Sequence, residues 1–137
     1  MGIVVHGIAE VYHPGGVHTL AGWDTVATFD FGKNSWFTAL LPDDDEARRW
    51  MTQRFYESPN PYASRLISWE AAHAVSEDIG FASTFVTPAE LLVIAEKLAC
   101  GEGEAPPWAA ELPRAAFAFL SVLAPRHDNV RLLIYRS

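Results

Sequence analysis

Residues 3–12 (IVVHGIAEVY) form an apolar, β-branched run that reads as a strand. His13-Pro14-Gly15-Gly16 stops it, because proline withholds a donor and glycine admits positive φ. Residues 23–31 (WDTVATFDF) alternate more cleanly. Trp23, Thr25, Ala27, Phe29 and Phe31 fall on one face, and Asp24, Thr28 and Asp30 on the other, interrupted by Val26. A period of two with one wet face predicts an antiparallel strand, so the two segments form a hairpin around a long loop, 13–22. Gly32-Lys33-Asn34 breaks the second strand. The short apolar run 35–41 (SWFTALL) fits one or two helical turns under the sheet, or a further strand.

Helical signals follow. Pro42-Asp43-Asp44-Asp45-Glu46 starts a helix, with Asp43 as cap and Glu46 at the capping-box position. Ala47, Trp50, Met51, Arg54 and Phe55 continue it until Ser58-Pro59-Asn60-Pro61. A less sharply amphipathic helix is predicted over 62–77, ended by Gly80, with a short strand over 81–86. Thr87-Pro88-Ala89-Glu90 is the cleanest local signal: a cap, a proline in the first turn and a reciprocal glutamate. Leu91, Ile94, Ala95 and Leu98 make the stripe that this helix buries, and Gly101 provides its left-handed exit. After the acidic connection 101–107, a short turn leads into a helix starting near Pro113. Its apolar side carries Phe117, Leu120 and Leu123, widened by Phe119, and Pro125 ends it. Residues 130–135 (VRLLIY) are too apolar for an edge and are expected inside a sheet. Two strands, several helices and a terminal strand predict an α+β fold, a small, mostly antiparallel sheet with helices packed on one face. Pairing the first and last strands closes the chain around its core.

Composition narrows the function classes. The chain has 137 residues, 50% of them hydrophobic, and a formal net charge of −7. One globular domain, 1–137, is expected, large enough to bury about two thirds of its unfolded surface. The acidic balance and the scattered lysines exclude a phosphate-tracking, nucleic-acid-binding surface. The single cysteine, Cys100, excludes an internal disulfide and a multi-thiolate metal centre, and fits a reducing, cytoplasmic setting. No basic leader precedes the first apolar run, and no spanning segment of about 18 apolar residues occurs, so no membrane association is expected.

Candidate chemistry is sparse. His13 and His18 share the 13–22 loop, and His6 can approach them across the hairpin, but no HExxH spacing accompanies them. Glu70-x-x-His73 is one half of a motif that bundle metal sites need twice. Cys100 lies at a helix C-terminus, where the dipole disfavours a thiolate. Ser83 and Thr84 lack a nucleophile elbow, and Ser121 is expected to be packed within its helix. Asp24 and Asp30 lie about 20 Å apart along an extended strand, too far to act jointly. Neither a P-loop nor a dinucleotide fingerprint is present. No catalytic residues, metal ligands or cofactor are therefore assigned.

The aromatic residues point elsewhere. Of the five tryptophans, Trp23, Trp36, Trp50 and Trp69 occupy periodic positions, whereas Trp108 stands in a polar loop beside a proline pair. Trp108 and Trp36 are candidate interface anchors, with a core role open to Trp36 if 35–41 packs under the sheet. Asp43, Asp44, Asp45 and Glu46 present concentrated negative charge to a basic partner surface, in addition to capping their helix.

Three segments share a further likeness. Asp30-Phe31-Gly32-Lys33-Asn34-Ser35-Trp36-Phe37-Thr38-Ala39-Leu40, Phe85-Val86-Thr87-Pro88-Ala89-Glu90-Leu91 and Asn129-Val130-Arg131-Leu132-Leu133-Ile134-Tyr135 resemble markers of small hypothetical proteins encoded by tailed bacteriophages and prophages. The resemblance covers under a quarter of the chain and implies binding of a host protein rather than a particular chemistry. The leading expectation is thus a non-catalytic accessory protein that occupies a partner's surface, with a homodimer also open through continuation of the C-terminal strand. Two alternatives stand beside it. One is a binder of a small ligand or signalling nucleotide, with His13 and His18 as contacts; the other is a metal-dependent enzyme built on the histidines.

Overall fold

Four strands are joined in one antiparallel sheet, in the order β2-β1-β4-β3. The computed structural model describes residues 4–12, 23–42, 84–127 and 129–136. Within them lie β1 (Val5–Tyr12), β2 (Trp23–Gly32), α1 (Ser35–Ala39), β3 (Thr84–Val86), α2 (Pro88–Ala99), α3 (Glu111–Leu123) and β4 (Val130–Arg136). Short 3-10 turns occupy Glu102–Glu104, Pro107–Ala110 and Ala124–Arg126. The expected α+β class, the hairpin of the first two strands and the closing of β1 on β4 are all present. The 35–41 run resolves as the helix α1, and the helix starts expected at 43 and 60 lie outside the described residues.

Two of the helices follow directly from local chemistry. At α2, the Glu90 N–H donates to Thr87 Oγ1 at 3.3 Å and the Thr87 N–H donates to Glu90 Oε1 at 3.0 Å, a complete capping box. Leu91, Ile94, Ala95 and Leu98 are its buried residues, as their spacing predicts, and Gly101 adopts φ +81° just beyond its end. In α3, which starts at Glu111 rather than near Pro113, the buried residues are Pro113, Ala116 and Leu120. Ser121 is exposed rather than packed, and its hydroxyl donates back to the Phe117 carbonyl at 2.8 Å.

These helices cover the sheet face that carries Val5, Ala9, Val11, Val86, Val130, Leu132 and Ile134. The other face of the sheet is buried as well, at Ile8 and Glu10 of β1, Arg131 and Leu133 of β4, and Phe85 of β3. One departure from the expected pattern decides what joins that second set. The β1–β2 register runs from Ala9 opposite Ala27 to Glu10 opposite Thr25, so Val26 is an extra residue, a bulge. Side chains before and after it exchange faces. Ala27 and Phe29 therefore point toward the helices, whereas Trp23, opposite Tyr12, joins the second face with Thr25. The single apolar face expected for 23–31 is thus split, and Asp24 and Asp30 lie on opposite faces rather than on one.

β4 lies between β1 and β3. An interior position is what its apolar sequence predicts. It also removes the expected route to a homodimer, since β4 pairs on both sides over residues 132–134 and offers no edge there to a second chain.

Candidate interaction surface

Trp36 and Trp108, far apart in sequence, meet edge-to-face, with ring centroids 5.4 Å apart and planes at 87°. Trp108 remains 51% exposed, and Trp36 is partly buried against the core. Both proposed anchors therefore occupy one place on the molecule.

Asn34 holds that place together. Its Oδ1 accepts the Phe37 N–H at 3.0 Å and so caps α1, which carries Trp36. Its Nδ2 donates to the Ala109 carbonyl at 2.9 Å and so ties α1 to the 3-10 turn that carries Trp108. Beneath the pair, Phe37 is fully buried and packs on Phe31, with centroids 4.8 Å apart, while Ala109 and Ala110 close the inner side of the turn. Gly32, at φ +64°, makes the bend from β2 into α1, and its N–H donates to Asp30 Oδ1 at 2.8 Å. Each indole thus projects from a short turn anchored by buried neighbours, Phe37 in one and Ala109 and Ala110 in the other.

The approach to Trp108 is acidic. Glu102, Glu104 and Glu111 are exposed on the segment that leads into and out of the tryptophan turn. Glu104 has φ +64°, an uncommon conformation for a side-chain-bearing residue, within the tight bend that also contains Gly101 and Gly103. Asp43, Asp44, Asp45 and Glu46 lie outside the described residues, as do His13 and His18.

A second constellation, which sequence reasoning missed, lies on the buried second face. Arg131 Nε donates to Glu10 Oε1 at 2.8 Å, and both side chains are fully buried. They sit directly opposite each other on β4 and β1. The guanidinium lies 3.7 Å from the centroid of the Trp23 ring and 5.5 Å from that of Phe85. Burial pushes the Arg131 pKa below its ordinary value, and the Glu10 charge and hydrogen bond oppose that shift. The Trp23 Nε1 is buried without a hydrogen-bond partner among the described residues, and Tyr12 packs edge-on against that ring at 5.3 Å. The one available signal was an opposite-charge pair, each member set within an apolar strand. Their registration becomes visible only once β1 and β4 are paired.

Among the described residues, no three His, Cys, Asp or Glu side chains gather as a metal-binding group. None of the described helices is long and apolar enough to cross a membrane. Cys100 is exposed at the end of α2, beside a surface depression of about 550 Å³ lined by Val93, Glu96, Lys97, Gly101 and Glu102. Compared with protein-family models, with curated proteins and with solved structures, the chain matches none. The likeness to phage and prophage proteins therefore rests on the residues of its three segments alone.

Proposed function

We propose that this chain is a small, non-catalytic accessory protein that acts by occupying the surface of a partner protein. The observation that carries the proposal is the Trp36–Trp108 pair, two large aromatic side chains held at the surface by a buried asparagine. Tryptophan is the residue most enriched at binding hot spots, because it desolvates a large area and loses little rotamer freedom. Trp108, at 51% exposure, keeps half of its surface available to a partner. The phage-like segments favour a host protein as the partner, and the single cysteine favours a cytoplasmic setting.

Native mass spectrometry of the tagged chain, purified from its own host, tests the proposal. Wild type is expected to retain a protein partner, and Trp108→Ala to lose it while keeping its melting temperature within about 2 °C. A wild-type chain that carries a nucleotide or a stoichiometric metal, and no protein, would overturn it in favour of the ligand-binding or metalloenzyme reading.

A further inference from the structure

We infer that the Trp36–Trp108 corner takes an arginine from a basic segment of the partner. This inference rests on the protein-binding reading above and adds the chemistry of the group bound. The two indoles meet edge-to-face, with planes at 87°, and Trp108 keeps half of its surface open to solvent. The face of an indole is electron-rich and attracts a cation placed over it.

The chain on either side of Trp108 carries charge of the complementary sign. From Ala99 to Leu112 the chain carries Glu102, Glu104 and Glu111 and no lysine, arginine or histidine, and all three carboxylates are exposed. Lys33, just before α1, Lys97, on α2 beside Glu102, and Arg114, on α3, are the exposed cations of the adjoining elements. The chain as a whole carries −7. This field repels a nucleic acid or an acidic peptide and draws in a basic one. A purely apolar partner helix would gain nothing from the three carboxylates.

Arginine suits a solvent-open indole better than lysine. Its planar, weakly hydrated guanidinium stacks on an indole while its edge N–H groups remain free to reach a carboxylate. The protein makes this same combination internally, where Arg131 lies over Trp23 at 3.7 Å and donates to Glu10 at 2.8 Å.

The test uses the full chain and two acetylated, amidated peptides, hexa-arginine and hexa-citrulline, with binding followed by calorimetry and by the indole N–H resonances of 15N-labelled protein. Hexa-arginine is expected to shift the Trp108 indole signal and to bind Trp108→Ala and Trp108→Leu at least about fivefold more weakly than wild type. Neither substitution alters net charge, and leucine keeps apolar bulk at the site, so a loss in both isolates the aromatic face. Citrulline keeps the shape without the charge, and its peptide is expected to leave the indole signal unmoved. Equal binding of hexa-arginine to wild type and both variants, or equal binding of the two peptides, overturns the inference. Should Trp108→Ala abolish capture of the host partner while hexa-arginine neither binds nor competes, the arginine inference fails and the protein-binding reading stands. Capture unaffected by Trp108→Ala removes both.

Discussion

Glu10 and Arg131 face each other across β1 and β4 with no access to water. A buried ion pair contributes little net stability over an apolar pair of the same shape, but replacing one member removes an opposite charge from the other where water cannot take its place. Glu10→Gln and Arg131→Met should each destabilise the fold by about 3–5 kcal/mol in urea denaturation. The double variant should lose much less than the sum of the two, and additive losses would show that the residues do not act as a pair. What the pair secures is register: a slip of one residue would turn Glu10 toward the helices and their apolar core. Asn34 works differently, by joining α1 to the Trp108 turn. Asn34→Ala should cost about 1–3 kcal/mol in the same assay and weaken partner capture by releasing α1 from the Trp108 turn. Retained capture at full affinity would deny Asn34 its positioning role.

Among the elements, those with self-contained signals were readable from the chain. The Thr87–Glu90 box, the α2 stripe and the Gly101 exit are each contained within a few turns, so their signals can be read without knowing a distant partner. The bulge at Val26 was not readable, because strand alternation carries no mark of an extra residue until the partner strand is laid against it. That one residue determines that Trp23 stacks on Arg131 instead of joining the helix-facing core. A second irregularity, between Val5 and His6, accommodates Phe31, whose ring occupies the space over Gly7. A Cβ on residue 7 would lie 2.6 Å from Phe31 Cε2. Gly7→Ala should therefore displace Phe31 and the Phe37 ring packed on it, at a cost of about 1–3 kcal/mol in thermal or urea unfolding. An unchanged melting temperature would mean that the aromatic layer under α1 yields freely.

For the whole molecule, the class of fold was legible because hydrophobic periodicity assigned the strands and helices, and the apolar character of 130–135 placed β4 inside the sheet. Pairings over long separations were not. Trp36 and Trp108 each stood out as a candidate, but nothing local indicates that they touch, and Glu10 and Arg131 are separated by 121 positions. The sheet order has its own consequence for biosynthesis. While the ribosome is still adding the intervening residues, β1 has β2 on one side and a row of unanswered backbone amides and carbonyls on the other. The sheet can close only after β4 has left the exit tunnel, so until then the β1 edge is open to pairing with neighbouring nascent chains on the same polysome.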